Sequence, residues 1–414
     1  VTSDRPGGWR SRGSTQYFVL LIAVIVFTAA VLRAPFLAVA PVAREIGMDL
    51  EVSAAVVGLL TSIPVLCFAV FAPAAVSLVR RGGADFALTV TLIGTIAGCL
   101  LRVSGGIALA LIGTALMGVF LTVGNIVIPV IISREFSPHR AHTMTGIYTS
   151  ALNIGTMTVT LATAPLADAI GWRWALASWA CFAVAALACW IPLRGLRGAF
   201  APRPAASAVS GTVRGSAWRH RPTLLLSAAF AGQAFAFYGV TAWLPSLLSD
   251  EGFSGAAAGA IASIFQVAGI AGSLLIPVLT LRASLSAGFL AAGIGWLVVP
   301  LGFLFAPAGW LVWTSIGGVA QGAGITVVFI AFGTLGPDVN TTAGRAGLVQ
   351  AVGYGVSAAG PLALGGLREL TGGWTVPLLV VLAAVLVLLV CGTLSARMLQ
   401  AEIAARSSAA RPEA

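Results

Sequence analysis

Apolar residues run along this chain in long blocks broken by short clusters of charge, Pro and Gly, and not in the alternating stripes of a water-soluble fold. A membrane-spanning helix needs roughly 20 mostly apolar residues. The pattern predicts twelve of them, with cores at 17–40, 52–79, 86–104, 107–133, 143–168, 174–193, 222–248, 255–281, 286–306, 309–336, 344–367 and 374–396. Residues 1–16 read as a leader into the first span, because the apolar run that follows is too long for a signal-peptide core and lacks a cleavage site.

Composition leads to the same class. Of 414 residues, 58% are apolar and 9% charged, with a mean hydropathy of +1.00, where a soluble domain carries about 25% charge. A soluble fold buries only roughly three quarters of the surface its unfolded chain exposes, so it could not hide this much apolar area. Soluble enzymes and nucleic-acid binders are argued against. The net charge of +10 is a topology signal: all 23 basic residues are Arg, and most lie in short loops. With both termini inside, the cytoplasmic segments collect eighteen Arg (5, 10, 12, 80, 81, 134, 140, 194, 197, 203, 214, 219, 221, 282, 345, 397, 406 and 411) and the outer loops four, Arg44, Arg102, Arg173 and Arg368. Basic residues stay on the cytoplasmic side, so the reading is a multi-pass plasma-membrane protein with both termini cytoplasmic. The remaining basic residue, Arg33, falls inside span 1.

Absence of Lys removes the phosphate-binding loop, whose Lys must reach a nucleotide, so any work done is drawn from gradients. Cys67, Cys99, Cys181, Cys189 and Cys391 all lie in apolar runs and read as small hydrophobes. His139, His142 and His220 lie in loops, so no metal site or other cofactor is expected.

The one long connection, 194–221, is rich in Arg, Pro, Ala, Ser and Gly and reads as a solvated linker between two bundles, 17–193 and 222–396, with a tail at 397–414. The halves repeat. Gly58, Ser62 and Ile63 recur as Gly259, Ser263 and Ile264, Arg80 matches Arg282, Gly146 matches Gly347, and Gly171-Trp172 answers Gly373-Trp374. The predicted fold is an all-α integral membrane protein of twelve helices in two pseudo-symmetric six-helix bundles, the plan of a secondary transporter with its site at the midplane between them.

Several segments now in view resemble the major facilitator superfamily and, within it, the family of cyanate transporters and nitroimidazole-resistance proteins. They are LRAPFLAVAP at 32–41, GLLTSIPVLCFAVFAP at 58–73, VGNIVIP at 123–129, GIYTSALNIG at 146–155, FYGVTAWLP at 237–245, SIFQVAGIAG at 263–272 and QAVGYGVSAAGPLALGGL at 350–367. The superfamily signature between spans 2 and 3 is reduced to LVRRGGADF, with Asp85 as its only acid. The resemblance implies a twelve-helix rocker with alternating access that moves a small anion or weak-acid heteroaromatic, cyanate being one candidate.

Arg33 is the sharpest chemical feature. A guanidinium inside a span costs about 2.5 kcal/mol or more on insertion scales unless it is paired or faces water, and all thirteen acids fall in loops or at span ends. An unpaired planar fork of donors suits a small anion; the competing reading is that Arg33 snorkels to outer headgroups. The resemblance places the cavity along spans 1, 4, 5, 7, 8, 10 and 11, where Asn125, Thr149, Asn153, Tyr238, Gln266 and Gln321 supply polar groups. Thr149 and Asn153 are four apart on one face, and Gln350 and Tyr354 hold the equivalent positions in the second half. Tyr148 and Gln233 are further candidates. For each of these the alternative is interhelical glue, worth ~0.6 kcal/mol on average in membranes. Trp172, Trp174, Trp243 and Trp374 read as the outer aromatic belt, and Gly94/Gly98, Gly255/Gly259 and Gly318/Gly322 as close helix contacts.

The expected activity is transport of a small, anionic substrate by a monomer embedded in lipid, with no enzymatic chemistry and no nucleic acid partner. An exporter of neutral or cationic drugs, with Arg33 structural, is the alternative; it explains the apolar helices equally and Arg33 poorly. A sensor or scaffold on the same fold would ordinarily carry a signalling domain in addition.

Overall fold

The computed structural model describes residues 15–52, 54–203, 217–253 and 255–409. Most of the predicted leader, the middle of the linker with Arg214, and Arg411 in the tail lie outside the described residues.

Span 1, Thr15–Leu37, ends where Pro35 and Pro41 deprive the helix of N–H donors, and the chain crosses one face through a 3₁₀ turn, Ala40–Val42, and a short helix, Ala43–Asp49. Span 2 is Ala54–Val70, interrupted at Phe71 ahead of Pro73 and resumed in the helix Ala72–Val103. That helix is really two. Gly83, at φ 82°, turns the chain back and starts span 3, a backbone conformation open to glycine at no steric cost, and the Gly82 carbonyl accepts from the Arg203 N–H at 2.9 Å, which pins the start of the linker to this turn. Span 4 is Ile107–Glu135, span 5 Pro138–Ile170, and span 6 the pair Trp172–Ser178 and Cys181–Arg194. The second half repeats this with span 7 Arg221–Asp250, span 8 Gly255–Arg282, span 9 Leu285–Phe305, span 10 Trp310–Phe332, span 11 Val339–Ser357 plus Gly360–Thr371, and span 12 Thr375–Ala409.

The last helix overruns its predicted end at 396. The run from Ala396 to Glu402 is made of good helix formers, and Leu399 is buried against the bundle, so the start of the predicted tail is helix. Among the described residues, nine helices are long and apolar enough to cross a membrane unaided. Spans 2, 5 and 11 fall short. Proline breaks spans 2 and 11 (Pro73, Pro361), and span 5 opens on the polar run PHRAHTMT. All three face the cleft between the halves, where apolar uniformity is not required.

Helix neighbours obey the duplication. Spans 1 and 6, 2 and 4, 3 and 4, and 1 and 5 pack as do 7 and 12, 8 and 10, 9 and 10, and 7 and 11, while 5 against 8 and 2 against 11 join the halves. Two of the predicted small-residue contacts are seen among the described residues: Gly98 faces the Gly113 carbonyl and the Met117 backbone, and Gly318 and Gly322 lie on the backbone of Phe265 and Gly269.

On the face opposite the chain ends, an ion pair recurs in each half. Arg173 Nη1 lies 2.5 Å from Asp49 Oδ2 with its guanidinium over Trp172, and Arg368 Nη2 lies 2.6 Å from Asp250 Oδ2 with its guanidinium over Trp374. The hydrogen bonds from Arg368 and from the Trp374 indole hold the Asp250 carboxyl below the usual carboxylate range. A lowered carboxylate stabilises the fold fully above its unfolded value, about 4, and less as pH falls through the folded one. Asp250→Asn is therefore expected to flatten the acid side of the melting-temperature profile below about pH 4 and to leave neutral pH nearly unchanged, since the pair is solvent-exposed.

The face that carries the chain ends is tightly closed. Arg134 and Arg194 converge on Asp85, Arg194 Nη2 pairs with Glu135 Oε1 at 2.6 Å, and the Tyr17 hydroxyl donates to Glu135 Oε2 at 2.7 Å, all within the first half. The single acid of the reduced signature thus latches spans 3, 4 and 6 together. Near this face the described contacts between halves are made by small and neutral groups. Gly146 of span 5 backs onto the Ser273 carbonyl and Pro277 of span 8, Gly347 of span 11 onto Val76, and His142 Nδ1 lies 3.0 Å from Thr280 Oγ1.

Candidate functional site

Above that closed face, between the halves, lies a cavity of about 500 Å³. It runs from Thr149 to Leu161 along span 5 and reaches Leu37 and Leu244 near the far ends of spans 1 and 7, so it opens to the face opposite the chain ends. Phe230, Phe237, Phe265, Leu152 and Met157 make most of its wall apolar.

Arg33 stands in this wall at 9% exposure. It does not reach for headgroups. Its Nη1 donates to the Tyr238 hydroxyl across the gap between spans 1 and 7, and the guanidinium lies 5.7 Å from that ring's centre. Tyr354 and Tyr148 are the other phenols within its electrostatic reach. Among the described residues no carboxylate forms an ion pair with it, and none lines the cavity. A cation held by neutral hydroxyls keeps most of its charge available to whatever enters.

Eight of the eleven residues singled out in the sequence meet at this wall: Arg33, Thr149, Asn153, Gln233, Tyr238, Gln266, Gln321 and Tyr354. Thr149 Oγ1 sits 2.6 Å from Thr326 Oγ1 of span 10, tying the halves together at the cavity floor. Tyr354, 1% exposed, is set edge-on to Phe230 at 5.2 Å and lies 5.0 Å from the Phe68 ring. The structure does not bring Asn125, Tyr148 and Gln350 to the wall. Gln350 Nε2 instead donates to the Asn125 backbone carbonyl at 3.2 Å, a bond between halves, and Tyr148 packs its ring against Phe329. The pairing of Gln350 with Tyr354 as joint cavity residues is corrected accordingly: four residues apart share a face only loosely, and the Gln side chain turns toward span 4.

Gln233 of span 7 also lines the cavity, and its Nε2 donates to the Gln321 backbone carbonyl at 3.0 Å. Two residues differ more sharply from their sequence reading. Trp243 is no free belt residue: its indole N–H bonds the Pro361 carbonyl at 2.7 Å, stapling span 7 to the break in span 11. Arg102 lies not in an outer loop but in the last turn of span 3, fully buried, where its Nη1 reaches the Pro35 carbonyl and its Nη2 the Leu176 carbonyl, 3.4 Å away. Both carbonyls belong to the last turn of a helix, whose partial negative charge suits a cation. Nothing in the sequence marks this use, because Arg102 is only two residues before a Ser-Gly-Gly turn.

Two six-helix bundles around a cavity between them are the architecture of a membrane transporter. The sequence model of the Major Facilitator Superfamily matches residues 19–361, and the chain belongs to that superfamily. It is 31% identical over 374 residues (89% of this chain, 91% of the other) to the uncharacterized transporter YycB of Bacillus subtilis. It is 31% identical over 383 residues (92% and 96%) to the 2-nitroimidazole transporter of Escherichia coli. Its fold is similar to the E. coli fucose:proton symporter, at a TM-score of 0.74 and 12% identity over 92% of this chain and 99% of that one. It is similar also to the proton:xylose symporter XylE, at 0.69 and 14% over 93% and 95%.

Proposed function

We propose that this transporter carries a small monoanion or weak-acid heteroaromatic across the plasma membrane, with Arg33 binding the negative charge. The observation that carries the reading is a buried guanidinium in the cavity wall, held by phenols and unmatched by any carboxylate of the described residues. In a cavity with largely apolar walls such a cation attracts an anion and repels cationic drugs. The name of the E. coli relative, a 2-nitroimidazole transporter, agrees with a flat heteroaromatic guest. Taking the Arg-rich face as cytoplasmic, the cavity opens outward. Release then requires the halves to rock about the contacts of spans 5 with 8 and 2 with 11.

Among the described residues, the cavity lining includes no carboxylate and no histidine. Coupling is then facilitated diffusion, exchange, or symport in which the substrate itself carries the proton to Arg33. On this reading Asp168→Asn leaves any dependence of uptake on a pH gradient intact, and a gradient effect abolished by that change would overturn it. The direct test is thermal stabilisation of the purified protein by small anions, neutral heteroaromatics and cationic drugs, since a ligand bound to the folded state raises its stability by mass action. Anions alone should stabilise; equal stabilisation by cations, with or without Arg33, would point to the drug-exporter alternative.

A further inference from the structure

Five residues below Tyr238 on span 7, toward the closed face, the cavity has a second polar place. Asn153 of span 5 and Gln321 of span 10 come from different halves and meet over Gly269 of span 8. Both are at least nine-tenths buried. Among the described residues, Asn153 Nδ2 and Gln321 Nε2 have no acceptor. The missing side chain of Gly269 makes this possible, because a Cβ there would collide with Gln321 Nε2 and come to 3.4 Å from Asn153 Nδ2. Gln233 ties this layer to span 7 through its bond to the Gln321 carbonyl.

Buried amides without partners are rare and costly in folded proteins, so two of them on one cavity wall ask for an acceptor. The last torsion of an Asn or Gln side chain is broad, and a turn about it presents an N–H to the cavity without moving the helix. An oxygen is the acceptor that suits two amide donors. At 1.5 Å of rise per residue, the five residues from Tyr238 to Gln233 set this layer roughly 7 Å deeper than the layer of Arg33.

We propose that Asn153 and Gln321 form a second subsite that takes a neutral oxygen acceptor at the far end of the substrate. This rests on Arg33 binding the charged end, as read above. The substrate class is then a flat monoanion with its charge at one end and a carbonyl-like oxygen at the other, long enough to touch both layers. A triatomic ion satisfies only one layer at a time.

The test is a pair of probes differing at one position, 5-formylfuran-2-carboxylate and 5-vinylfuran-2-carboxylate, in which a carbonyl oxygen is exchanged for a methylene on the same flat frame. Binding to the full-length protein in detergent is measured by calorimetry or thermal shift. Wild-type protein should bind the formyl compound about tenfold more tightly, as expected for hydrogen bonds to otherwise unmet buried donors. That ratio should fall toward one in Asn153→Leu and in Gln321→Leu. Equal binding of the two probes by wild type, with both weakened in Arg33→Ala, would overturn the subsite and leave the Arg33 reading standing. Binding of both probes unaffected by Arg33→Ala would overturn the charge reading and the subsite with it, as would failure of the formyl probe to bind at millimolar concentration. The wild-type comparison is decisive even if a variant does not fold.

Discussion

Arg33→Gln protein is expected to lose stabilisation by small anions, with affinity reduced at least a hundredfold. The replaced group offers charged, geometrically fixed donors inside a wall of Phe, Leu and Met. Hydrogen bonds to a charged partner contribute about 1.5–3 kcal/mol each, and a bidentate contact of two makes a hundredfold loss a conservative figure. Arg33→Lys keeps the charge without the fork and should fall between the two. The same variants separate binding from architecture. The guanidinium is held by neutral phenols and, among the described residues, by no acid, so in the empty protein its desolvation is poorly compensated. The ligand-free melting temperature of Arg33→Gln should therefore equal or exceed that of wild type. A large drop in ligand-free stability, together with unchanged anion binding, would make Arg33 structural.

Gly322→Leu should leave little or no monodisperse protein on size-exclusion chromatography. A Cβ at Gly322 would fall on the backbone of Gly269, and one at Gly272 on the Val319 carbonyl and the Ala323 nitrogen. Spans 8 and 10 thus meet backbone to backbone, and no side-chain rotamer can relieve the clash; the helices must separate. Overpacking of an interior commonly costs about 1–3 kcal/mol, and here rigid main chain must yield, which puts the cost at or above the upper end of that range. Gly322→Ala should already lower the melting temperature. Gly366 of span 11 has open space around its Cβ position, so Gly366→Ala should be neutral or raise stability by up to about 1 kcal/mol through helix propensity. If both Ala variants behave alike, the close contact of spans 8 and 10 is not what holds this pair.

Two kinds of information in the chain have different reach. Hydropathy is local and additive, so runs of apolar residues place the spans within a few residues of where the helices lie. The misjudged end, span 12, is one where polar helix formers continue the helix past the apolar run. Internal repetition reaches further. The match of Gly146 with Gly347 foreshadows two equivalent crossings of the halves, and both glycines sit at such a crossing. A repeated ion pair, Asp49 with Arg173 and Asp250 with Arg368, could have been noticed by the same comparison, because each arginine adjoins or nears a repeated Gly-Trp pair.

Direction around a helix axis is where such reasoning fails. Gln350 and Tyr354 look interchangeable as cavity residues by spacing, yet one turns to Asn125 and the other to Arg33. Arg102 looks like a loop residue by its distance to Ser104-Gly105-Gly106, and it is buried against two helix ends contributed by residues far away in the chain. By itself the sequence determines that this protein lives in a membrane, crosses it twelve times in two repeated halves, and carries one arginine inside its first span without a carboxylate at matching depth, because burial in lipid and charge placement are properties of each segment alone. Only the tertiary structure decides that Tyr238 meets that arginine, that Asn153 and Gln321 face each other over Gly269, and that one face is closed while the other is open, because each depends on how helices distant in sequence rotate and pack against one another.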